Sequence, residues 1–163
     1  MTYLEPAVAE TVTQRFVPVQ VNVTEPAARP LIERFRTVWT PDLRVLAPDG
    51  FELVRWQGYL PPFEFLPQLL VAQAQALLRS HDEAGAAAVY EEVLRRFPTS
   101  FVAPEAQYYL AVARYKTSHR AEDLQGGWRL LQVRYPRSVW RLKQSFSEEQ
   151  QPAAPPKGQR EAA

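Results

Sequence analysis

The chain has 163 residues, 46% of them apolar, and a formal net charge of +1 from 19 basic and 18 acidic side chains. That is enough apolar material for a sizeable core, so disorder throughout is excluded, and the charge balance provides no global field to draw nucleic acid or anionic membrane. Zero cysteines exclude disulfides, thiolate catalysis and thiolate metal sites.

Taken in chain order, residues Pro6 to Arg15 predict a short helix, with Pro6 in its first turn and Val8 and Val12 on one face. In Phe16 to Val23 the valines at 17, 19, 21 and 23 alternate with other residues, which predicts a strand, and Pro18, which lacks an N–H, places it at a sheet edge. Pro26 to Val38 predicts a helix with Leu31, Ile32 and Phe35 on its apolar face, ending at the Trp39-Thr40-Pro41 break. Leu43 to Ala47, the turn residues Ala47-Pro48-Asp49-Gly50 and Phe51 to Gln57 predict a β-hairpin. Five helices then follow, at Pro62 to Ser80 (with Pro67 a candidate kink), Glu83 to Phe97, Pro104 to Ser118, Ala121 to Tyr135 and Ser138 to Phe146. Residues 147–163, rich in Pro, Gln, Glu and Ala, predict a disordered tail.

Part of this order carries a resemblance. The stretches Thr2-Tyr3-Leu4-Glu5-Pro6-Ala7-Val8, Phe16 to Asn22, Trp39-Thr40-Pro41-Asp42-Leu43, Asp49-Gly50 and Trp56-Gln57-Gly58-Tyr59 together resemble the later part of a thioredoxin-like domain, over about residues 2 to 80. The resemblance implies a cis peptide before Pro41 and a peptide-binding role for Trp39, Thr40 and Pro41. It departs from the family where the chemistry lies: the central strand and the Trp-Cys-x-x-Cys motif that ends it have no counterpart, so thiol–disulfide exchange has no chemical basis here. Two readings follow. In one the activity has been discarded; in the other the reading frame is a truncated remnant of an oxidoreductase.

Without a middle strand, Phe16 to Asn22 and Asp42 to Ala47 must pair directly or leave backbone groups open to another chain. Pairing within one chain is the favoured expectation; a two-fold homodimer sharing the strand is the alternative.

The helical half contains a repeat. Ala86, Tyr90, Val93 and Pro98 correspond to Leu124, Trp128, Leu131 and Pro136 at an offset of 38 residues, and Arg96-Phe97-Pro98-Thr99-Ser100 corresponds to Arg134-Tyr135-Pro136-Arg137-Ser138. Ala106, Tyr109, Leu110 and Ala113 mark a partner helix between them. The pattern is similar to tetratricopeptide units, although the offset exceeds their usual length of about 34 residues.

His81 and His119 are the only histidines, and both fall in inter-helix breaks without further ligands, so no metal or other cofactor is expected. Glu91-Glu92 and Glu122-Asp123 are adjacent helical residues that point apart, no serine has a base and an orienting acid, and Gly126-Gly127 lacks the context of a phosphate loop. No catalysis is expected. Between Asp123 and Glu148 there is no acid, while Arg129, Arg134, Arg137, Arg141 and Lys143 gather beside Trp128, Tyr135 and Trp140. Such a mixture can bind nucleic acid; it can also be a repeat's core with a wet basic face, or a patch for an acidic protein segment, of which Arg134, Arg137 and Arg141 are the candidate residues.

The sequence therefore predicts an α+β chain: an incomplete thioredoxin-like sheet with covering helices in residues 1–80, an all-α tetratricopeptide-like bundle in 81–146, and the tail in 147–163. The N-terminus has neither a basic lead nor an apolar run, and no window reaches the roughly 18 apolar residues of a membrane span. The expected protein is cytoplasmic and non-catalytic, with a protein or peptide partner and neither membrane nor nucleic acid.

Overall fold

The computed structural model describes residues 2–144; the predicted tail at 147–163 and the last residues of the helix predicted to reach Phe146 lie outside them. The fold is α+β and mostly helical. A 3-10 turn at Thr2–Leu4 leads into α1 (Pro6–Arg15); a second, at Pro26–Ala28, leads into α2 (Arg29–Phe35). The hairpin β1 (Asp42–Leu46) and β2 (Glu52–Gln57) comes next, then α3 (Pro62–Arg79), α4 (Glu83–Arg96), α5 (Ala103–Ser118), α6 (Ala121–Arg134) and the short α7 (Val139–Lys143).

The hairpin is as predicted. Its strands are antiparallel, with Leu43 opposite Trp56 and Val45 opposite Val54, and a bulge follows Val45. The turn closes through Gly50 N–H to the Ala47 carbonyl at 2.8 Å, with Gly50 at φ +83°, where a side chain would be strained. The Thr40–Pro41 peptide is cis, as the resemblance implies.

The strand predicted at Phe16 to Val23 is not present. Among the described residues the sheet has two strands, and Val17 to Val21 make no backbone–backbone hydrogen bond. The favoured pairing of this segment with Leu43 to Ala47 therefore does not occur. Alternating valines select a face, but a strand also needs a ladder partner, and here Val17 and Val19 stand 91% and 80% exposed. The helix predicted through Val38 also stops short, at Phe35, because Arg36 turns left-handed at φ 48° and Thr37 N–H closes onto the Ile32 carbonyl at 3.1 Å.

α3 organises the molecule. Its Phe65, Leu66, Leu69 and Ala72 pack with Val8 of α1 and Val45 of β1, while its Leu70, Val71 and Ala74 pack with Ala86, Tyr90, Val93, Val102, Ala106 and Leu110. A helix that serves two cores must be apolar nearly all round, and residues Phe65 to Ala72 are buried without a break. Pro67 is accommodated inside the continuous helix, among these buried residues.

Polar contacts fix the hairpin to α2. Asp42 accepts from Arg44 at 2.9 Å and from Arg55 at 3.1 Å, and Arg44 also pairs with Glu52 and donates to the Phe35 carbonyl at 2.7 Å. The Arg44 guanidinium lies 4.9 Å from the centre of the Phe35 ring. Burial alone would raise the Asp42 carboxyl, but the hydrogen bonds and charge of Arg44 and Arg55 outweigh it and hold it below the usual aspartate value. A carboxylate with a depressed native pKa contributes stability above its unfolded value and loses it as pH falls through the native one. Melting temperature should therefore fall on acidification below the ordinary aspartate range, and Asp42→Asn should be less stable than wild type at neutral pH with a flatter acid limb; parallel pH profiles for the two proteins would disprove the assignment.

Candidate functional site

The 38-residue repeat recurs in the geometry. α4 ends at Phe97 with φ −132° and ψ 52°, α6 at Tyr135 with φ −132° and ψ 54°. Phe97 N–H bonds the Val93 carbonyl at 2.8 Å and Tyr135 N–H the Leu131 carbonyl at 2.9 Å; Ser100 N–H then bonds Phe97 and Ser138 N–H bonds Tyr135, at 3.1 and 3.0 Å. Tyr90 and Val93 in α4, and Trp128 and Leu131 in α6, are all buried. Equivalent positions thus build a helix, a stop and a turn of matching geometry twice. The Tyr135 hydroxyl donates to the Pro98 carbonyl at 3.0 Å, tying the second turn to the first.

α5 packs against both α4 and α6. Its Gln107 is buried and donates to the Gly127 carbonyl at 3.2 Å, beside the point where Gly127 meets Ala111. This arrangement leaves a cleft of about 390 Å³ with walls from α4 and α6 and a floor from α5. Leu94, Leu110 and Leu130 supply apolar lining, and Arg95, Arg114 and Arg134 bring one guanidinium from each helix. Arg114 is paired with Glu91 at 2.8 Å. Arg95 and Arg134 have no hydrogen-bond or ion-pair partner among the described residues, and both are exposed. A second hollow of about 410 Å³, towards Ala87, Thr117 and Asp123, shares Glu91 and Arg114 with the first.

Of the three arginines predicted to form one patch, Arg134 lines this cleft while Arg137 and Arg141 do not. Arg137 lies in the turn after α6 and Arg141 in α7. Sequence reasoning missed Arg95 and Arg114. The spacing held a signal for both, since Gln107, Leu110 and Arg114 lie at i, i+3 and i+7 on α5, and Glu91, Leu94 and Arg95 at i, i+3 and i+4 on α4.

On the other face of α5, an aromatic cluster surrounds a half-buried carboxylate. Tyr109 stacks on Tyr90 with centroids 6.1 Å apart, Trp140 lies 5.4 Å from Tyr109 and 5.2 Å from Tyr108, and Lys143 Nζ sits 3.7 Å above the Trp140 ring. Glu105 accepts from Gln75 Nε2 at 2.7 Å. Burial raises its carboxyl above the usual glutamate range, against the opposing pull of Lys143 and the Gln75 hydrogen bond. Of the aromatic residues beside the basic run, Trp128 and Trp140 thus pack on Tyr108 of α5, and Tyr135 holds the Pro98 carbonyl, which accounts for their presence without a ligand.

Trp39, Thr40 and Pro41 are exposed, Trp39 to 69%. They stand at the end of the hairpin, where Gly58 N–H bonds the Pro41 carbonyl at 2.9 Å. His81, one residue beyond the Ser80 C-cap of α3, and His119, the C-cap of α5, occupy left-handed positions at φ 62° and 56°, a backbone role in which histidine is enriched. Among the described residues no helix is long and apolar enough to cross a membrane, and no group of three His, Cys, Asp or Glu side chains could hold a metal ion. No family model, no curated protein and no solved structure matches the chain.

Proposed function

We propose that the chain is a non-catalytic protein-interaction module, built from a degenerate thioredoxin-like unit and tetratricopeptide-like helices, whose partner lays an acidic segment with apolar side chains into the cleft between α4 and α6. The observation that carries this reading is the pair of unpartnered guanidiniums, Arg95 and Arg134, lining one cleft together with Leu94, Leu110 and Leu130. Arginine forks suit carboxylates, and leucines beside them suit the apolar face of the same segment. The one acid in the cleft, Glu91, is already matched by Arg114, so the cleft retains an excess of positive charge.

The test is fluorescence anisotropy with a labelled amphipathic peptide that carries glutamates beside leucines. Binding should weaken as salt is raised, and Arg95→Glu with Arg134→Glu should weaken it by at least roughly tenfold, about 1.4 kcal/mol. Both side chains are exposed, so the melting temperature should hold. Unchanged affinity in the double variant would refute the site, and equal affinity for a single-stranded oligonucleotide would reassign the arginines to nucleic acid.

A further inference from the structure

The segment from Phe16 to Val23 has the side-chain pattern of a strand and none of its hydrogen bonds. Val17, Val19, Val21 and Val23 are 91%, 80%, 40% and 41% exposed. The two-stranded sheet does not take the segment up, and the backbone of Val17 to Val21 is unpaired among the described residues. Exposed apolar side chains on an unpaired backbone are the features that strand addition removes.

What would cover it is written in its own symmetry. About Gln20 the order of residues reads the same in both directions by type: valines at 17, 19, 21 and 23, and non-valines at 18 and 22. In an antiparallel pairing with Gln20 on a two-fold axis, Val19 faces Val21 of the other copy and Val17 faces Val23, so each valine meets a valine. Pro18 then falls opposite Asn22, in pairs of the same parity as Gln20. With those as the non-hydrogen-bonded pairs, the N–H that Pro18 lacks is not needed by the ladder. No charged residue lies between Arg15 and Glu25, which bracket the segment with opposite signs. Antiparallel pairing brings the Arg15 end of one copy towards the Glu25 end of the other, whereas parallel pairing brings like ends together. Arg15 already holds Glu92 at 3.0 Å and Asn22 donates to Glu25 at 3.0 Å, so these charges orient the pairing rather than hold it. A turn closes at Glu25 N–H to the Asn22 carbonyl, 3.1 Å, which leaves residues 18–22 as the centre of the ribbon.

We propose that a second copy of the chain docks here, forming a two-stranded antiparallel ribbon across a dyad at Gln20. So short a ribbon is small beside the roughly 1,200–2,000 Å² of a stable interface, and association is therefore weak and concentration-dependent. It is separate from the cleft between α4 and α6, and fails or stands independently of it.

Because the chain has no cysteine, Gln20→Cys reports the dyad directly. Facing residues of a non-hydrogen-bonded pair have Cα atoms about 4.5 Å apart, within the range of a disulfide. With oxidised glutathione, Gln20→Cys should give a covalent dimer well ahead of Gln125→Cys, an exposed control on α6. Light scattering of the wild type should show mass rising from monomer towards dimer with concentration. Val19→Lys with Val21→Lys should remain monomeric, while Val19→Lys with Val21→Glu, which sets opposite charges face to face, should dimerise. A monomer mass for the wild type at every concentration, cross-linking of Gln20→Cys no faster than the control, or undiminished dimer in the double-lysine variant would each overturn the proposal.

Discussion

Replacing Gly127 by alanine should lower stability, whereas the same change at its neighbour Gly126 should raise it. A Cβ at Gly127 would lie 2.4 Å from the Cβ of Ala111 and 3.1 Å from its Cα. The second atom is backbone, so relief requires α5 and α6 to move apart along a contact that also holds the buried Gln107 hydrogen bond. Overpacking of this kind costs about 1–3 kcal/mol, more than the ~1 kcal/mol of helix propensity gained. At Gly126 a Cβ meets only the Arg129 guanidinium at 3.8 Å, so propensity is all that changes. Urea midpoints for the two variants should move in opposite directions, and Gly127→Val should fall furthest. Equal gains at both positions would show that the helices are not in this close contact.

Tyr90 should separate ring from hydroxyl in the same way. The residue is fully buried, in the core of α3, α4 and α5, with its ring stacked on Tyr109. Tyr90→Ala should cost about 3–5 kcal/mol, as loss of a buried aromatic side chain does. The hydroxyl has no hydrogen-bond partner among the described residues, and burial, with the charge of Glu105 next, pushes its pKa far above the ordinary tyrosine value. It is thus a neutral buried group whose desolvation is not repaid, so Tyr90→Phe should match or exceed wild-type stability by up to about 1 kcal/mol. A Phe variant as damaged as the Ala variant would mean that the hydroxyl is held by a bond of its own.

The parts of the fold that could be read from the sequence are those whose signal is local. Proline at the start of α1 and α3 and the Pro48-Asp49-Gly50 turn each mark their boundary within a few residues. The failures are equally physical. Alternation at Val17 to Val23 describes one side of a ladder, and only the fold decides whether the other side exists. Arg36 ends α2 in a left-handed conformation that neither glycine nor asparagine announces. The cleft was hidden for a third reason: its arginines lie on three helices, far apart in the chain, and a run of basic residues along one stretch drew attention to Arg137 and Arg141 instead of Arg95 and Arg114. Arg134 belonged to both sets, and it was the one residue of the predicted patch that the packing delivered to the cleft.

The hydrogen bond from Tyr135 to Pro98, set against the near-contact of Gly127 with Ala111, fixes how one helix pair is rotated and advanced onto the next. One support lies at the turns and the other midway along the helices, so sliding the second unit against the first would have to break one of them. Ser138 N–H to Tyr135 repeats Ser100 N–H to Phe97, although α7 starts directly after Ser138 whereas α5 starts only at Ala103. The spacing of the two units is therefore set jointly by a turn-to-turn hydrogen bond and by a glycine small enough to let two helices meet.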